Sequence, residues 1–197
     1  MNIEFKSTIF STKKSLQIKD DFSLLESSVY NSDLKTFAKN DIIGIRFGVS
    51  WITGYQFTIG RVYCLDIRNK QNEVISVRLK SVYGIRRKHL GNKYLELLNI
   101  IIDTYFTDIY NEYLNSFSRN EVIEIESVRL SEEGIWVKKG NEIIKWEDLD
   151  VGVFHNYLSL TSKHNSKNYT QLYYLNDWNT YLIEILVKQV IQMKGMD

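Results

Sequence analysis

Three histidines, one cysteine and 24 carboxylates bound the chemistry open to this chain of 197 residues. His89 stands inside a run of cations, which disfavours an ordinary general-base role. His155 falls at the end of an expected strand, and His164 sits in a polar loop between Lys163 and Asn165. None has the spacing of a metal-ligand pair such as HExxH. A lone cysteine, Cys64, excludes an intramolecular disulfide and a multi-cysteine metal site, and its strand-like surroundings (61–67) mark it as a buried reduced thiol. Glu121, Glu124 and Glu126 alternate with apolar residues, as on the wet face of a strand. Glu147, Asp148 and Asp150 follow Trp146 where a turn is expected, and Asp there caps locally far more often than it binds a cation. Gly44, Gly48, Gly54 and Gly60 are scattered through strands and form no phosphate loop. No catalytic constellation emerges, so no enzymatic activity, metal or cofactor is expected.

The strongest electrostatic feature is a basic run. Arg78, Lys80, Arg86, Arg87, Lys88 and Lys93 follow one another with no acid between them, interleaved with Tyr83 and His89. Residues 1–118 hold 16 Lys and Arg against 12 Asp and Glu, and residues 119–197 hold 9 against 12, so the first part is mildly basic and the second mildly acidic. A formal net charge of +1 is too small for a dedicated nucleic-acid binder. The run is a candidate site for an anionic partner, a protein before an anionic lipid surface, with nucleic acid disfavoured. Trp51, Tyr55 and Phe57, on a long expected hairpin at 48–60, are candidate contact residues beside it.

Alternation and turn chemistry give the elements that must carry these residues. Short strands are expected at 3–5, 16–18, 28–30 and 34–37, with turns at Asp20-Asp21 and Asn31–Asp33. Longer ones follow at 43–51, 55–68 and 74–79, with a turn at Thr53-Gly54 and a hairpin loop at 69–72. A basic connector, 80–93, leads into a long helix, 93–116, whose apolar stripe includes Tyr94, Leu97, Leu98, Ile101, Tyr105 and Phe106. The polar stretch 116–120 suggests a domain boundary between 118 and 119. Strands are then expected at 122–130, 135–137, 143–146, 149–154, 157–160 and 169–175, with a tight turn at 139–141. A closing helix, 177–193, carries Trp178, Tyr181, Leu182, Ile185, Leu186, Val190 and Met193 on one face.

The two parts repeat one order: short strands, a turn ending in Asp41 or Asp148, a hairpin and a helix. Placing Tyr94 on Trp178 brings the two helical stripes into phase. The second part, with Glu133–Val137, Ile144–Leu149, Tyr157–Leu160 and Trp178, resembles the bacterial pleckstrin-homology-like (PH-like) domains. The resemblance covers about residues 121–193 and reaches 1–118 through the repeat. It implies an α+β fold of two PH-like modules, each a bent antiparallel barrel or sheet closed by a C-terminal helix with an aromatic anchor, here Trp178. Six strands are expected in the second part where the family has seven. The basic signature of inositol-phosphate binders is missing: its place reads Arg129–Gly134 with two acids, and in the first part Lys13, Lys14 and Lys19 lack an Arg partner. The resemblance implies a non-catalytic binding or scaffolding protein, with a toxin-neutralising immunity protein or a peripheral membrane module as alternatives. The first residues lack the pattern of a signal peptide, which points to the cytoplasm. The abundance of Asn, Lys, Ile and Tyr fits an AT-rich genome, and the lack of proline excludes a Pro-rich linker or PxxP ligand.

Overall fold

The computed structural model describes residues 2–6, 13–18, 24–28, 35–137 and 142–196, with side-chain environments from Thr36 onward. The turns expected at Asp20-Asp21, Asn31–Asp33 and 139–141, and the side chains of Lys13, Lys14 and Lys19, lie outside the described residues. The chain is α+β. It divides into two compact units, Met1–Ile100 and Ile101–Asp197. Among the described residues the strands form four separate antiparallel meanders, none closed into a barrel.

The first unit starts with β1 (Asn2–Lys6), β2 (Lys13–Ile18), β3 (Leu24–Ser28) and β4 (Lys35–Phe37), paired in chain order. A 3-10 turn, Lys39–Asp41, leads to β5 (Ile42–Gly54), β6 (Phe57–Asn69) and β7 (Val74–Val82). The β5–β6 turn falls at Tyr55-Gln56, past the expected Thr53-Gly54, because pairing continues to Gly54 opposite Phe57. Asn69 shapes the next hairpin: its side-chain oxygen accepts from the backbone N–H of Gln71 (3.1 Å) and of Glu73 (2.8 Å). Alternation puts Leu65 and Ile67 of β6 with Ile75, Val77 and Leu79 of β7 into the core, each at 1% exposure or less. Each such side chain contributes about 1.5–3 kcal/mol.

The expected connector at 80–93 is corrected. Lys80 still belongs to β7, and helix α1 (Arg87–Ile101) starts at once after a tight turn. Tyr83, Gly84 and Arg86 all take positive φ there, so the chain reverses within four residues. Arg and Lys are good helix formers, and a polar first turn has the composition of a loop. α1 packs Leu90, Tyr94, Leu97 and Leu98 inward. Tyr94 packs against Tyr63, the rings tilted with centroids 5.1 Å apart, and its hydroxyl donates to the carbonyls of Cys64 (2.9 Å) and Gly48 (3.1 Å). The chain continues through a π-helical stretch, Ile102–Phe106, into α2 (Thr107–Ser118).

The second unit repeats the element order after these helical turns. β8 (Ile123–Ile125), β9 (Val128–Leu130), β10 (Gly134–Val137) and β11 (Ile144–Lys145) pair in chain order. A 3-10 turn, Trp146–Asp148, leads to β12 (Leu149–Val153), β13 (Tyr157–Ser162) and β14 (Tyr169–Tyr173), and α3 (Thr180–Met193) ends the unit. The single strand expected at 122–130 is two, giving seven strands where six were expected. Glu126 takes a positive φ and closes a turn that pairs Ile125 with Val128. The inward residues are Ile123 and Ile125, then Val128 and Leu130, so the alternation slips by one at that turn.

The helix phase is corrected as well. Trp178 precedes α3 and is only half-buried; Asn179, in left-handed conformation, separates it from the helix. The buried face of α3 includes Leu182, Ile183, Leu186, Val187 and Val190, while Tyr181 and Ile185 are half-buried and Met193 exposed. Counted from the first residue of each helix, Leu90, Tyr94 and Leu97 match Ile183, Val187 and Val190. The buried indole of this unit is instead Trp146. It meets Phe117 edge-on at 6.0 Å, and its N–H donates to the Ser131 carbonyl at 3.0 Å.

Candidate functional site

The candidate site lies within the first unit, where β5 and β6 run beyond the core. Up to Ile45, β5 buries three of four residues; beyond it, none is fully buried. The strands nevertheless stay paired to their tip, and pairing fixes what meets what. Trp51 is opposite Arg61, and Arg61 is opposite Ser81 of β7. The Arg61 guanidinium lies over the Trp51 ring, 4.6 Å from its centroid, a cation–π contact. Gly60 permits close strand approach: a Cβ there would run into the Ser81 carbonyl oxygen.

This row forms one wall of a concavity of about 220 Å³. Phe57 and Ile59 extend the wall toward the tip, while Tyr83, Gly84 and Arg87 close it from the β7–α1 turn. Ser81 is held by that turn, its hydroxyl donating to the Ile85 carbonyl at 3.1 Å. The surface around the groove is unusually apolar for something open to water: Phe57 is 68% exposed, Tyr83 76% and Trp51 47%. Tyr55, at the tip, is fully exposed but does not line the groove.

The residues singled out from the sequence divide accordingly. Trp51, Phe57 and Arg87 come together in the groove. Arg86 and Lys88 flank Arg87 in the chain and are exposed; among the described residues, none of the three has a carboxylate partner. Arg78 and Lys80 leave the group because β7 alternates, placing them on the sheet face opposite Ser81. Arg78 is committed there: its Nη2 is 2.7 Å from Oδ1 of the buried Asp66, whose other oxygen accepts from Arg46 Nε at 3.0 Å, and Ser76 donates to Asp66 at 2.6 Å. Lys93 is half-buried on α1 and does not line the groove. Arg61, Ile59 and Ser81 are not among the residues singled out, and Tyr83 is marked only as an aromatic within the basic run. Their signal is the register, since Arg61 meets Trp51 only once the hairpin is folded.

Burial raises the Cys64 thiol above its ordinary value, in keeping with a closed, unreactive cysteine, and burial likewise raises the Tyr94 hydroxyl. Among the described residues, no three His, Cys, Asp or Glu side chains are grouped to hold a metal, and no helix is long and apolar enough to cross a membrane. The Trp51–Arg61–Arg87 groove offers recognition chemistry: flat apolar walls for a side chain, and guanidinium donors for carboxylate or phosphate oxygens. No protein-family model, curated protein or solved structure matches the chain.

Proposed function

We propose that the protein is a non-catalytic binding or scaffolding module that holds a protein partner on the overhang of its first unit. The observation that carries this reading is the paired but coreless end of β5–β6. Ordering a residue costs about 1–2 kcal/mol of backbone entropy, and here strands are ordered to present Trp51 and Phe57 to solvent beside Arg87. Exposed aromatic and Arg side chains clustered around a concavity are the composition of interaction hot spots. The order of elements in each unit, four strands, three strands and a helix, supports reading both as PH-like modules. That fold serves mainly as a platform for protein, peptide or lipid contacts, an argument by analogy.

The test is comparative capture from the source cell. Immobilised wild-type protein retains a partner in stoichiometric amount, and the triple variant Arg86→Glu, Arg87→Glu, Lys88→Glu loses it while keeping its circular dichroism spectrum. Equal capture by both proteins, or capture by neither, overturns the reading.

A further inference from the structure

We infer that the occupant of the Trp51–Arg87 groove is an acidic linear segment of the partner, anchored by one aromatic or large aliphatic side chain. This rests on the binding reading above and names the chemistry of the partner. Charge complementarity selects the acidic character. The two stretches that build the groove, residues 48–62 and 78–93, contain no Asp or Glu. Arg61 and Arg87 line the groove, and Arg86 and Lys88 are exposed beside Arg87. Among the described residues that line the groove, an approaching carboxylate therefore meets donors and no acid, and guanidinium groups grip carboxylates in a two-pronged geometry.

The walls select the anchor. Trp51, Phe57, Ile59 and Tyr83 line the groove, Phe57 and Tyr83 mostly exposed and Trp51 about half, and about 220 Å³ is the room of one large side chain. Burying an aromatic residue there would remove apolar area from water on both partners. An acidic segment without an anchor would lose this contribution, and an apolar one without acids would leave the guanidinium groups unpaired. An extended segment is favoured because the groove is open to solvent.

The occupant is probed with three short synthetic peptides measured by fluorescence anisotropy: acidic residues around a central Phe, the same with Phe→Ala, and the same with every acid replaced by Lys. The full-length protein is expected to bind the first at least about tenfold tighter than either of the others, with affinity falling as salt rises. Arg87→Glu is expected to weaken that peptide by about tenfold or more, and Phe57→Ala to narrow the gap between the Phe and Ala peptides. Both positions are exposed, and thermal melts matching wild type verify that the fold is kept. Equal affinity for acidic and Lys peptides, or no effect of Arg87→Glu, overturns the inference. Binding to phosphatidylserine vesicles or to single-stranded DNA without binding to the acidic peptide also overturns it, in favour of a bilayer or a nucleic acid. If the peptides fail while the triple charge reversal still abolishes partner capture, the binding reading stands and only the acidic-segment assignment falls.

Discussion

The two hairpins that follow the 3-10 turns start alike and end differently. Ile42 and Leu149 leave their turns with the same extended backbone, φ −77° and ψ 126° in one, φ −77° and ψ 129° in the other. The backbone N–H of Lys70 donates to the Asp41 carbonyl at 2.8 Å, and that of Lys163 to the Asp148 carbonyl at 2.8 Å, so each second hairpin is clipped to its turn identically. Beyond this point β12 and β13 stop after five and six residues, whereas β5 and β6 each run for thirteen. The short hairpin shows what this sheet needs to form a core. Beyond Tyr63, which packs against Tyr94, the extra length of the long one carries Trp51, Phe57 and Arg61.

Side-chain chemistry follows the same division. At the end of the short hairpin the aromatics satisfy one another: Phe154 stacks on Tyr157 at 4.6 Å, and Tyr157 meets Tyr173 at 5.5 Å. At the long hairpin Trp51 is covered on one face by Arg61, and the groove below it is open. The sheet faces differ too. Arg46, Asp66 and Ser76 sit side by side in the first unit, where the matching row of the second holds Gly152, Ser159 and Gln171.

The largest effect expected separates a buried indole from an exposed one. Trp146→Ala should cost about 3–5 kcal/mol, because a packed ring and a satisfied N–H are lost together. Trp51→Ala should cost less than about 1 kcal/mol while reducing partner capture. Urea unfolding of both variants checks the contrast, and similar losses would erase the distinction between core and overhang. Next comes Asp66→Ala, expected to cost about 3 kcal/mol by leaving Arg46 and Arg78 without their shared carboxylate; their partial exposure limits the loss. A cost below about 1 kcal/mol would mean that solvent takes over the role of Asp66.

Tyr94→Phe is a smaller change. It keeps the ring against Tyr63 and removes the hydroxyl that donates to Cys64 and Gly48, at a cost of about 1 kcal/mol at neutral pH. It also has a pH signature. The folded hydroxyl titrates above the ordinary tyrosine value of 10.0, chiefly through burial. Its contribution is therefore complete below pH 10 and is lost as the pH rises past that value, when the unfolded chain ionises first. Alkaline melts should show wild type losing more stability than Tyr94→Phe above pH 10. Parallel curves would mean that the hydroxyl is not sealed.

Much of the architecture is legible in the sequence because burial writes a period into it. The stripe of α1 and the alternation of β6 and β7 are read directly from Tyr94, Leu97 and Leu98 and from Ile75, Val77 and Leu79. What escapes has physical causes. The β8–β9 turn hides because Glu126 and Ser127 look like one more polar pair in an alternating strand. Trp178 is misplaced because α3 is apolar around most of its circumference, so several phases fit, and the largest residue drew the choice. The groove is illegible for a different reason. Trp51, Arg61 and Ser81 are joined by strand register and Arg87 by the β7–α1 turn, while Arg78 and Lys80, which look like members of the same basic run, are turned to the other face by alternation.

The claim that binds these observations is that the overhang of β5–β6 serves recognition and not folding. It is tested most directly by removing it: Ser50 and Val62, which face each other across the strands, are joined through Asn-Gly. The account predicts that urea unfolding followed by far-ultraviolet circular dichroism stays cooperative, with a loss of no more than about 2 kcal/mol for the β7 pairs and the Ile59–Tyr83 bond given up, since the shorter β12–β13 hairpin shows that less length suffices. A trimmed chain that no longer unfolds cooperatively, or that loses several kcal/mol, would contradict it and make the overhang part of the fold.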